Sequence, residues 1–129
     1  MKYLKKLSEL LLSNVNLCYN DDGKKEFKKI GKKAMRELAT ILELKEIDVD
    51  FNPGGIAVSG DLYLMGMWND DMGVYISMNK DLPTAPWGQV LYRTIKHMKD
   101  YTGGANNWLK YEDLASQEKL KEMILKLKS

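Results

Sequence analysis

Hydrophobic residues recur along this chain with two different periods, which separate helical ends from a strand-rich middle. Leucines at helical spacing over Leu4–Leu11 predict an amphipathic helix that ends near Asn14. A second apolar stripe, Phe27–Leu42, predicts a helix over residues 24–44. The intervening residues 15–20 fit either a short extended segment or the frayed end of the first helix.

From Ile47 onward the period is two, which is typical of half-buried strands. The alternation predicts a strand over 47–51, and two further runs, 56–59 and 62–68, are joined by the short loop Gly60-Asp61 that favours an antiparallel hairpin. A fourth strand is predicted over 74–78. Together these segments predict a four-stranded antiparallel meander.

Helical spacing returns in the last third of the chain. It predicts a third helix over 90–98 that ends before Gly103-Gly104, and a final helix capped by Ser116. Helices before and after a single sheet predict an α+β fold, in which the meander packs against the flanking helices as a two-layer sandwich. At 129 residues and 44% apolar composition, the chain has the size of one domain, residues 1–129.

Composition predicts a cytoplasmic protein without a membrane partner. No apolar run approaches the roughly 20 residues that a spanning helix needs. The single cysteine, Cys18, cannot form an internal disulfide, and the eight methionines suit a reducing compartment.

Charge is sorted by segment, although the whole chain carries only +2. Residues 1–45 hold 11 basic and 6 acidic side chains, residues 46–88 hold 1 and 7, and residues 89–129 hold 8 and 5. The net charges are therefore +5, −6 and +3, which predicts surfaces of opposite sign and electrostatic partners. Segments of +5 and −6 could also pair between two copies, so a homodimer is one arrangement that the pattern allows.

The second helix carries a row of basic residues opposite its apolar stripe, and such a row can follow a phosphate backbone. The alternative is an ordinary solvated helix face. Only two of the 20 basic residues in the chain are arginines, which disfavours reading of base edges. The candidate nucleic-acid-binding residues are Lys25, Lys28, Lys29, Lys32, Lys33 and Arg36.

Carboxylates of the middle segment form the candidate partner-binding face, which could imitate phosphates or dock a basic protein groove. Turn chemistry alone also explains aspartates at hairpin corners. Their spacing lacks the alternating ligands and final glutamate of a calcium loop, so we predict no metal and no cofactor. The residues of this face are Asp48, Asp50, Asp61, Asp70 and Asp71.

The remaining candidates are the single histidine and the three tryptophans. His97 is the only histidine, and Asp100 could orient its imidazole on the predicted third helix, but acid–base catalysis would need another partner. We therefore predict no catalytic residues and no enzyme. Trp68 and Trp108 are expected to cover the core, whereas Trp87, in a Pro-Trp-Gly loop, is the candidate interface anchor.

Two stretches, Gly60–Trp68 and Tyr92–Gly104, resemble small proteins carried by phages and conjugative elements of low-GC Gram-positive bacteria. That resemblance, which extends to anti-CRISPR inhibitors, implies a small domain that binds a host defence protein or ribonucleoprotein complex. The element order also resembles a double-stranded-RNA-binding domain, but that family's basic helix start is missing at Trp87–Leu91.

The sequence therefore predicts a non-enzymatic binding protein of a mobile element, which inhibits or modulates a host protein or nucleoprotein complex. The alternative is a nucleic-acid-binding module that uses the helix 24–44.

Overall fold

A computed structural model describes residues 2–13, 21–52, 61–78, 89–100 and 103–128. In chain order the elements are α1 (Lys2–Leu12), α2 (Asp21–Ile41), β1 (Glu46–Asn52), β2 (Asp61–Met67), β3 (Gly73–Met78), β4 (Gln89–Ile95), β5 (Asn107–Lys110) and α3 (Gln117–Leu125), with 3₁₀ turns at Tyr111–Ala115 and Lys126–Lys128. The class is α+β, as predicted. The described helices include none that is long and apolar enough to cross a membrane.

The five strands of the described residues form one open antiparallel sheet in the order β1-β2-β3-β4-β5. The predicted number of four strands is wrong. The strands that pair with β2 are β1 and β3. The predicted strand 56–59 lies outside the described residues. Asp61, predicted in a loop, is instead the first residue of β2 and faces Asn52 of β1.

The predicted third helix is also wrong, because β4 occupies Gln89–Ile95. Val90 and Tyr92 are buried on one side of this strand, while Arg93 and Ile95 are buried on the other. A strand with apolar residues on both sides mimics helical spacing over one or two turns. The β-branched and aromatic content of the segment favoured a strand.

The main core lies between the sheet and the helices α1, α2 and α3. Phe27 of α2 meets Phe51 of β1 edge to face, with ring centroids 5.5 Å apart. Gly31 lets α2 approach the sheet closely, since a Cβ there would lie 2.5 Å from a Leu62 methyl group. Ser116 caps α3 by accepting a hydrogen bond from Lys119 N, which confirms the predicted final helix.

A smaller apolar cluster occupies part of the opposite sheet face. It contains Met65, Met67 and Ile95, with Met98 of the β4–β5 connection packed against them. Lys99 N donates a hydrogen bond to Met65 Sδ at 2.8 Å, which holds this connection to β2. The expected two-layer sandwich is not confirmed, because the β4–β5 connection packs on part of the second face of this open sheet.

Candidate partner-binding surface

Strand alternation sends one set of side chains toward the helices and the other set toward the opposite sheet face. The pairing of Met65 with Tyr75, and of Tyr75 with Arg93, places these residues on the face away from α1 and α2. Tyr63 and Trp108 lie on the same face. None of the described helices crosses these side chains, so we call this the open face.

Four side chains on this face form a continuous line across β1, β2, β3 and β4. The Tyr63 hydroxyl donates to Asp48 Oδ2 at 3.4 Å, and the Tyr63 and Tyr75 rings are 6.0 Å apart at 30°. The guanidinium Cζ of Arg93 lies 4.7 Å from the centroid of the Tyr75 ring. We call Asp48, Tyr63, Tyr75 and Arg93 the tyrosine row.

The Arg93 side chain is buried and is held in place by two hydrogen bonds. Its Nη1 donates to the Gly103 carbonyl at 2.7 Å and its Nη2 to the Asp100 carbonyl at 2.9 Å. Only 6% of the residue is exposed. A guanidinium held at two points and stacked on a ring loses little freedom when a partner binds, so it pre-organises Tyr75.

The predicted acidic residues fall into two groups. Asp48, Asp50 and Asp61 lie on the open-face side of β1 and β2, beside Tyr63. Asp70 and Asp71 are exposed in the β2–β3 turn, at the other end of the sheet. There Asn69 Oδ1 accepts from Asp71 N at 2.8 Å, as the turn-forming interpretation expects. Of the five predicted carboxylates, three therefore lie in or beside the tyrosine row, and two lie apart from it.

The predicted basic residues lie on α2, on the helical side of the molecule. Lys25, Lys28, Lys29, Lys33 and Arg36 are exposed, whereas Lys32 is half-buried and its Nζ lies 4.0 Å from Asp50 Oδ1. That contact links the helical side to the edge strand β1.

A feature of α1 adds to this basic side. The Nζ atoms of Lys2, Lys6 and Lys33 lie 5.6, 5.6 and 5.1 Å from the centre of the Tyr3 ring. Glu37 of α2 accepts hydrogen bonds from Tyr3 N and Leu4 N, which joins the two helices here. We call Lys2, Lys6, Lys33 and the exposed α2 cations the lysine surface.

The remaining candidates are placed differently from expectation. His97 lies in the connection after β4 and is exposed, with Nδ1 2.9 Å from the Met98 carbonyl oxygen. The Asp100 carboxylate accepts a hydrogen bond from Lys96 N at 3.0 Å. In the part of the chain that the structure describes, no group of three or more histidine, cysteine, aspartate or glutamate side chains could hold a metal ion.

Two of the three tryptophans can be placed. Trp68 is buried and its Nε1 donates to the Leu42 carbonyl at 2.8 Å, which confirms its role as a core cover. The same expectation for Trp108 is wrong, because this residue is 40% exposed on the open face. Trp87 lies outside the described residues.

Sequence reasoning missed Tyr63, Tyr75, Arg93 and Trp108 as candidate binding residues. A signal was present for two of them, since Tyr63 and Tyr75 occupy solvent-side positions of alternating strands, where polar residues are usual. Arg93 and Trp108 could not be placed while their segments were not recognised as strands. Comparison with protein-family models, with curated proteins and with solved structures finds no match to this chain.

Proposed function

We propose that this chain is a non-enzymatic cytoplasmic binding protein that inhibits or modulates a host protein or nucleoprotein complex, as anti-CRISPR-type proteins of mobile elements do. The tyrosine row carries this proposal. Tyrosine, tryptophan and arginine dominate the binding energy of protein interfaces. Here two tyrosines, Arg93 and the exposed Trp108 share one helix-free sheet face.

Charge supports a protein partner with a basic surface. Asp48, Asp50 and Asp61 surround Tyr63, and carboxylates at this place repel the phosphates of nucleic acid. A lysine or arginine side chain, in contrast, would meet both the carboxylates and the aromatic rings favourably. The open face is therefore suited to a cationic protein surface.

Retention of a host protein on immobilised wild-type and variant chains tests the proposal. We expect a nuclease-treated lysate of a low-GC Gram-positive host to yield a retained protein. The double variant Tyr63→Ala/Tyr75→Ala should retain it about 30-fold less, as loss of about 2 kcal/mol at a binding hot spot predicts.

The matched control is Lys29→Glu/Lys33→Glu on the opposite, helical side, which should keep the retained protein. If nuclease treatment releases the protein, or if the lysine variant loses it while the tyrosine variant keeps it, the proposal is wrong.

A second candidate function is nucleic-acid binding by the lysine surface. The observation that favours it is the convergence of three ammonium groups on the Tyr3 ring. The positive potentials of three ammonium groups around one ring add, and a phosphate bound beside them would be attracted by each.

Salt dependence tests the second candidate. For about six phosphate contacts, binding of labelled nucleic acid should fall with a log–log salt slope of about −4.2 for single strands or about −5.4 for duplex. Changing Lys25, Lys29, Lys32 and Lys33 to Glu should abolish binding. Unchanged retention of nucleic acid by that variant at low salt would exclude this function.

A further inference from the structure

β1 is an edge strand of the sheet. Its seven residues, Glu46–Asn52, pair with β2 on one side, and none of the described strands pairs with the other side. The outer side of an edge strand presents alternating NH and CO groups, which can pair with a strand of another chain. The structure describes no strand beside the outer NH and CO groups of Glu46–Asp50, so this part of β1 is open to addition of a strand. Farther along, Phe51 N already donates to Asp50 Oδ1 at 2.8 Å.

The side chains of β1 differ sharply between its two faces. Ile47 is 41% exposed, and half-buried Val49 follows it on the helix-facing side. Glu46, Asp48 and Asp50 occupy the open-face side. A strand added here would thus meet apolar side chains on one face and three carboxylates on the other.

This pattern selects against a second copy of the same chain. Antiparallel pairing of two β1 strands about Asp48 would place Glu46 opposite Asp50 and Asp48 opposite its own copy, and like charges at such positions repel. The homodimer that charge sorting allowed is therefore disfavoured along this edge. A strand with lysine or arginine at alternate positions would instead pair each carboxylate.

We propose that β1 receives an extended segment of the partner protein in which basic residues alternate with apolar ones. This inference rests on the proposed function, because it names the chemistry of the partner at the same surface. Asp48 belongs both to this edge and to the tyrosine row, so the added strand would continue the row. Lys32 already approaches Asp50, so an ammonium group is accommodated at this edge.

Fluorescence polarisation with labelled peptides tests the proposal on the full chain. The probe is a heptapeptide, matched to the length of β1, in which lysine alternates with valine. We expect it to bind, and we expect a peptide with glutamate in place of lysine to bind at least about tenfold more weakly. Absence of binding of the lysine peptide up to about 1 mM would overturn the proposal.

Backbone pairing is tested by N-methylation of the lysine peptide. Methyl groups on alternate residues along one edge should abolish binding, whereas the same number along the other edge should leave it intact. Equal effects of the two methylation patterns would overturn strand addition.

The matched protein variant is Asp48→Lys/Asp50→Lys. It should bind the lysine peptide at least about fivefold more weakly than the wild type does, and the glutamate peptide more tightly. If circular dichroism shows that it does not fold, Asp48→Asn/Asp50→Asn replaces it, with weaker lysine-peptide binding expected. If the folded variant still prefers the lysine peptide to the glutamate peptide as strongly as the wild type does, the carboxylates of β1 do not select a basic partner. If the host protein is retained through Tyr63 and Tyr75 but no peptide binds, the proposed function stands and strand addition fails.

Discussion

The two faces of the sheet carry different kinds of side chain on the same strands. The helix-facing side carries Leu62, Leu64, Val74 and Ile76, all with 0% exposure, and it holds the fold together. The open face carries half-buried tyrosines, an exposed tryptophan and carboxylates beside the small buried cluster of Met65, Met67 and Ile95. Because neighbouring residues of one strand point to opposite faces, each half-buried tyrosine lies between two core residues: Tyr63 between Leu62 and Leu64, and Tyr75 between Val74 and Ile76.

The two sides of the molecule also differ in charge. The lysine surface covers the helical side, and the carboxylates of β1 and β2 lie beside the open face. The segmental charge sorting of the sequence thus becomes a difference between two sides of one small domain. A basic partner is attracted to one side and repelled by the other, which favours a single orientation on encounter.

Two adjacent residues of β2 provide the most direct test of the difference between the two faces. Leu64→Ala leaves a cavity in the main core and should lower the free energy of unfolding by about 2–5 kcal/mol. Tyr63→Ala removes a half-buried cross-strand contact and should cost about 1 kcal/mol. Urea denaturation of both variants measures the difference.

Partner retention supplies the complementary readout for this pair. Tyr63→Ala should lose the retained host protein, while folded Leu64→Ala should keep it. Equal destabilisation by the two variants would mean that the open face is part of the structural core, and the separation of tasks would fail.

Arg93 holds the Tyr75 side of the open face in place, and a conservative substitution tests this role. Arg93→Lys replaces a planar donor that reaches two carbonyls with a single ammonium group, and it weakens the stacking on Tyr75. We expect a loss of about 2 kcal/mol in the free energy of unfolding. Amides of residues 103–106 should also exchange faster, because the connection before β5 loses its anchor.

Arg36→Lys is the control for this substitution. Arg36 is the other arginine of the chain and is exposed on α2, so its replacement should change stability by less than about 0.5 kcal/mol. If the two substitutions have equal effects, Arg93 does not organise the face.

Periodicity was sufficient for much of the fold. It predicted α1, α2, α3 and the strands β1, β2 and β3, because apolar residues recur in these elements with the period of a helix or a strand. It failed at β4, where the connection over the second face buries residues on both sides of the strand, and at β5, which is only four residues long. Local pattern carries little information where tertiary contacts decide burial.

Some residues of the candidate site could be predicted from local pattern, and others come together only through tertiary contacts. Asp48 and Asp50 were predicted as one acidic group because strand alternation is a local property. Tyr75 and Arg93 come together only through the pairing of β3 with β4, and no local pattern reports that pairing. Similarly, Tyr3 joins the lysine surface only because α1 packs against α2.

The smallest expected effect probes the helix-facing side through pH. Burial raises the pKa of Tyr92 above its ordinary value of 10.0. A raised pKa in the folded state means that neutral Tyr92 contributes its full stability below pH 10, and that this contribution is lost as pH rises further. Denaturation at several pH values should therefore show wild-type stability falling more steeply above pH 10 than that of Tyr92→Phe, by less than about 1.4 kcal/mol per pH unit. Parallel curves for wild type and Tyr92→Phe would show that the core does not hold the Tyr92 hydroxyl neutral.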